Sequence, residues 1–122
     1  MSFPERDHTI SLAEAAAMTR RHRLQHPKAE KGGLFDADQV RALLAQPGAM
    51  GLRYYHGLNE DGTYAIILVA VDAAGLDLTD EVIMERHLPC PPICDATSDL
   101  GTSAWVARAR QATVGSQRLI PA

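Results

Sequence analysis

The apolar positions of the chain change period three times, and those changes predict its elements. From Leu12 to Gln25 the sequence is rich in Ala, and Leu12, Ala13, Ala16, Ala17 and Leu24 share one broad face at 100° per residue. Arg20 and Arg23 intrude on that face. Ser11 stands ahead of this run and Glu14 three residues after it, the spacing of a capping box. Pro27 disfavours helix at His26 and ends the element. A loop over His26–Leu34, carrying Gly32 and Gly33, leads to a second helix. There Asp36 takes the N-cap, Gln39 the third helical position, and Phe35 with Val40 forms a hydrophobic staple. Ala37, Val40, Leu43 and Leu44 make a core-facing stripe, and Pro47-Gly48 closes the helix.

The period then falls to two. Met50, Leu52, Tyr54 and His56 fall on one face of a strand, taken as the core side, and Gly51, Arg53, Tyr55 and Gly57 on the other. Asn59-Glu-Asp-Gly62 is a turn signal. Beyond it, Tyr64 to Val71 is apolar throughout, which predicts a central strand buried on both faces. The two strands, Met50–Leu58 and Thr63–Val71, read as an antiparallel hairpin. Asp72 to Gly75 is a second turn, and Leu76 to Leu88 adds another strand or an irregular segment. After Leu88 the run Pro-Cys-Pro-Pro-Ile-Cys breaks all periodicity, and a short helix is expected over Ser98–Arg110 around Trp105. The expected fold is α+β. Two N-terminal helices pack on a small antiparallel sheet with a central hairpin, followed by an irregular C-terminal arm. The expected organisation is a flexible N-terminus over 1–9, a single domain over 10–110 and a tail over 111–122.

Composition narrows the classes. Of 122 residues, 46% are hydrophobic and 22% charged, the balance of a soluble globular protein. The longest apolar run has eight residues, too few for a membrane span. No apolar stretch opens the chain, so a cytoplasmic location is expected. A net charge of −3 argues against nucleic acid as a partner. The local cluster Arg20, Arg21 and Arg23 reads as the cationic end of a helix, with a small-anion contact as the alternative. Asp36 and Asp38 lack the rest of a Ca²⁺ loop.

Five features occur in order: Ile-Ser-Leu-x-Glu-Ala (Ile10–Ala15), Phe35 opening a helix that ends Leu-Leu-x-Gln-Pro-Gly (Leu43–Gly48), Gly-Leu-Arg-Tyr-Tyr-x-Gly (Gly51–Gly57), Leu-Val-x-Val-Asp (Leu68–Asp72) and Cys-Pro-Pro-x-Cys (Cys90–Cys94). In these the chain resembles a family of small uncharacterised bacterial proteins of Bacteroidetes and their relatives. The likeness covers roughly Ile10 to Leu100 and implies a shared fold. It implies no activity.

Candidate chemistry is sparse. His87, Cys90 and Cys94 supply three soft or borderline ligands within eight residues, a set zinc would take if a fourth came from elsewhere. A redox dithiol is a second reading, although the usual motif has one residue fewer between its cysteines. A rigid Pro-Pro segment packing two small thiols is a third. Arg53 and Tyr55 are candidate binding residues, since Arg and Tyr are enriched at interfaces. No Gly-x-Ser-x-Gly elbow and no nucleophile–base pair is visible. The leading reading is a non-enzymatic interaction or self-assembly module, pairing as a homo-oligomer or filament subunit or with a protein partner. The others are a metal-binding protein and an enzyme acting on a small molecule near Arg53 and Tyr55.

Overall fold

The computed structural model describes residues 2–102 and 119–120. Its elements are α1 (Leu12–Gln25), β1 (Gly32–Leu34), α2 (Ala37–Leu44), β2 (Gly51–Leu58), β3 (Tyr64–Val71), β4 (Ile83–Met84), β5 (Leu88–Cys90), β6 (Cys94–Asp95) and β7 (Leu119–Ile120). Two helices with small antiparallel ladders make a mixed α+β protein. The chain divides into two compact units, Met1–Arg6 with Phe35–His87 and Asp7–Leu34 with Leu88–Ala122.

The first unit holds a three-stranded sheet in the order β2-β3-β4. The β2–β3 register runs from Gly51↔Val71 to Leu58↔Tyr64, around a turn closed by the Gly62 amide on the Asn59 carbonyl at 2.9 Å. Gly62 sits at φ 86°, a left-handed conformation that favours glycine. β3 is the middle strand, and Ala65, Leu68, Val69, Ala70 and Val71 are buried. The core is formed by Leu43 of α2, Leu68, Ala70 and Met84, flanked by Phe35, Val40, Ile66 and Leu78. Asp36 takes the N-cap position of α2 but makes no side-chain cap hydrogen bond. The segment before residue 7 is tied to this unit, because the Phe3 amide donates to the Ala73 carbonyl at 3.0 Å.

The second unit holds α1. Ser11 caps it, accepting from the Glu14 amide at 3.0 Å and donating its hydroxyl to the Glu14 carboxylate at 3.0 Å. The predicted bounds of α1 hold, but the predicted face does not. Leu12 and Leu24 are exposed, no residue of α1 is fully buried, and the half-buried stripe is Ala15, Ala16, Thr19 and Arg23. The physical reason is that alanine carries too little apolar surface to fix which side of a helix turns inward. Arg23 resolves part of the basic cluster: its guanidinium donates to the Leu100 carbonyl at 2.8 Å. β1, placed in the expected loop, pairs with β5 from Gly32↔Cys90 to Leu34↔Leu88. β6 pairs with β7 through Cys94↔Ile120 and Asp95↔Leu119, and β7 lies in the stretch expected to be the C-terminal tail. Ser98 to Thr102 forms turns, and the rest of the helix expected around Trp105 lies outside the described residues. Among the described residues no helix is long and apolar enough to cross a membrane.

Candidate functional site

β2 forms one edge of its sheet, so among the described residues one of its sides is unpaired. The Asn59 amide donates to the Thr63 carbonyl at 2.8 Å just beyond the hairpin ladder. Alternation from that pair turns the odd-numbered residues of β2 toward β3 and directs the N–H and C=O groups of Leu52, Tyr54, His56 and Leu58 at the open edge. The same four side chains share a face, and most of them are in solvent. Tyr54 is 62% exposed, Leu58 73% and the preceding Met50 66%. This corrects the reading of that face as core side along its whole length. Among the described residues the core draws its side chains from α2, β3, β4 and the segments beside them, and β2 contributes none, although Leu52 and Tyr54 stand opposite Ala70 and Leu68. His56 is accordingly an exposed histidine, its Nδ1 2.9 Å from the Tyr64 hydroxyl and its ring edge-on to Tyr54 and Tyr64.

The opposite face of β2 carries Arg53 and Tyr55, and both close on Asp77. The Arg53 guanidinium donates to Asp77 Oδ1 at 2.5 Å, and the Tyr55 hydroxyl to Oδ2 at 2.5 Å. The Tyr55 hydrogen bond, with Arg53 beside it, holds the Asp77 carboxyl below the usual carboxylate range. The same carboxylate raises the Tyr55 phenol above its ordinary value. The signs follow. Asp77's contribution to stability is present above the ordinary carboxylate range and lost as pH falls through its depressed value. Tyr55's is present below the ordinary phenol range, near pH 10, and lost as pH rises through its raised value. Acid titration of Asp77→Asn by circular dichroism should therefore show a flatter loss of stability below about pH 4 than wild type. Identical slopes would remove the pair from the acid response.

Two further residues come from the segment without periodicity. Glu85 accepts from the Ile66 amide, which faces the side of β3 beyond the short β4, and from the His87 amide at 3.0 Å and Nδ1 at 2.6 Å. Burial raises the Glu85 carboxyl, but these hydrogen bonds outweigh it and leave the group below its ordinary range. Arg86 between them sits at φ 67°, a left-handed conformation costly for a side chain with a Cβ. Arg86→Val should lower stability by about 1–2 kcal/mol, while Arg86→Gly should match or exceed wild type, as read from urea midpoints. Equal losses for both would show that backbone conformation is not what position 86 requires.

The metal set is not assembled. Cys90 and Cys94 are joined in a disulfide with Cα atoms 5.0 Å apart, so neither sulfur is the thiolate a zinc ion needs. His87 Nδ1 is engaged by Glu85. Among the described residues no group of three His, Cys, Asp or Glu side chains is placed to hold a metal ion. The bridge spans four positions, and loop-entropy reasoning gives it only about 2 kcal/mol of stabilisation. Comparison with known proteins finds no matching family model, no matching curated protein and no matching solved structure.

Proposed function

We propose that the protein is a non-enzymatic self-association module, a homodimer formed by antiparallel pairing of β2 with β2 of a second copy. The observation that carries this reading is the open edge of β2, eight residues long, beside exposed Met50, Leu52, Tyr54 and Leu58. Long, flat, apolar edges are templates for another strand, and proteins that stay monomeric blunt them with charge, proline or bulges. β2 carries one charged residue, Arg53, and its hydrogen bond to Asp77 lies on the other face.

The occupant is a second copy because the strand is close to palindromic. A two-fold axis at Tyr54 sets Met50 opposite Leu58, Gly51 opposite Gly57, Leu52 opposite His56 and Arg53 opposite Tyr55. Met50 meets Leu58, glycine meets glycine, Leu52 meets the His56 ring, and the cation meets a tyrosine rather than its own like. Such an isologous contact closes on itself. The other sheet edge, β4, has only two residues and offers no comparable ladder for a filament. Sedimentation equilibrium over a range of concentrations should show a monomer–dimer equilibrium. A strict monomer at high concentration removes the proposal, and open-ended assembly removes the closed geometry.

A further inference from the structure

We propose that the Cys90–Cys94 bridge and the cleft beside it form a thiol–disulfide exchange site for an extended, thiol-bearing polypeptide. The site lies wholly in the second unit and is independent of β2.

Three observations converge. The first is the reactive group: both half-buried cysteines line a cleft of about 520 Å³, open to solvent. The second is a place for a peptide backbone. β1 lines the same cleft and is paired only on its β5 side among the described residues. Gly33 stands opposite Pro89, which has no N–H to donate. That pair is therefore a non-hydrogen-bonded one, and the alternation of the ladder turns the Gly33 N–H and C=O to the open side. Among the described residues no atom lies within 4 Å of where a Cβ on Gly32 would stand, so the face of the strand is open at that position. An added strand gains main-chain hydrogen bonds of the kind that hold peptides at sheet edges. The third is that both cysteines are held from outside the bridge. Cys90 accepts from the Lys31 amide and pairs with Gly32, and Cys94 pairs with Ile120. Opening the bond leaves both residues anchored, so it can close again. Lys31 also lines the cleft, and a nearby cation favours thiolate over thiol. Asp95, on the same cleft, is engaged by the Thr97 amide and hydroxyl.

The chemistry balances. A substrate thiolate attacks one bridge sulfur, the S–S bond breaks, a mixed disulfide forms and the other cysteine leaves as thiolate. A second substrate thiolate attacks the substrate sulfur of that mixed disulfide and expels the remaining cysteine. Two substrate thiols become a disulfide, and their protons end on Cys90 and Cys94. A small-molecule disulfide, itself reduced to two thiols, restores the bridge.

The test uses the full chain, a synthetic extended peptide with two cysteines, and oxidised glutathione. Peptide disulfide formation is followed by mass spectrometry after acid quench. Wild type should accelerate it at least about tenfold over glutathione alone, with a trapped protein–peptide mixed disulfide. Gly33→Pro removes the outward N–H and should lose the acceleration, while dithiothreitol still reduces its bridge at the wild-type rate. Cys90→Ser/Cys94→Ser should be inert. No acceleration by wild type, or no mixed disulfide during turnover, overturns the proposal whatever the variants do. Full activity in Gly33→Pro overturns the strand-edge binding on which it rests.

Discussion

Leu43→Ala is expected to lower the stability of the first unit by about 3 kcal/mol, within the roughly 2–5 kcal/mol that such truncations cost. Among the described residues Leu43 is the largest side chain fully removed from solvent, and it links α2 to β3 and β4 through Leu68, Ala70 and Met84. Truncation removes its transfer free energy and leaves a cavity that a small sheet and a two-turn helix cannot collapse to fill. With a urea dependence of roughly 1 kcal/mol per molar for so small a unit, the midpoint should fall by roughly 3 M. Leu44→Ala is the internal control. Leu44 is the next and last residue of α2 but is 43% exposed, and its loss should cost under about 1 kcal/mol. Equal effects at both positions would mean that α2 does not meet the sheet through the face described.

That contrast marks how far the sequence could be read. Of the stripe Ala37, Val40, Leu43 and Leu44, the structure turns Val40 and Leu43 inward and leaves Ala37 and Leu44 exposed, so the pattern gives the inward side of α2 only in part. The hairpin is legible because its strands are adjacent in sequence, and Asn59 to Gly62 encodes the turn that joins them. β1 is illegible because Gly32 and Gly33 have no side chains to show a period, and their partner strand begins more than fifty residues later. The candidate site divides in the same way. Alternation places Arg53 and Tyr55 on one face, and the structure brings their side chains together on Asp77. Asp77 and Glu85 are illegible in the sequence, since Leu76 to Leu88 follows neither helical nor strand periodicity and hydrogen bonds to distant partners leave no trace in local pattern. The three residues proposed for metal fail for a different reason. Proximity along the chain says nothing about whether two sulfurs meet a metal or each other.

Tyr54→Pro is expected to abolish dimer formation while leaving the fold in place. The alternation inferred for β2 directs the Tyr54 N–H at the open edge, so proline there removes no bond to β3. In the proposed dimer Tyr54 lies on the two-fold axis, and each copy would lose one interchain N–H···O bond and the tyrosine ring. The pyrrolidine ring also keeps the neighbouring strand at a distance. Two lost bonds at about 1 kcal/mol each, with the lost side-chain contact, amount to roughly 3 kcal/mol, or about 100-fold in dissociation constant. Tyr54→Thr separates the causes, since it keeps the N–H and a strand-compatible side chain and should weaken association far less. Tyr55→Pro is the opposite control. Its N–H is inferred to face β3, opposite Ile67, and its hydroxyl holds Asp77, so proline there should unfold the hairpin. Sedimentation of the three variants beside their circular dichroism reads association and folding independently. If Tyr54→Pro stays dimeric, the copies do not meet along β2. If it unfolds as Tyr55→Pro should, its N–H was engaged inside the chain and β2 has no open edge to offer.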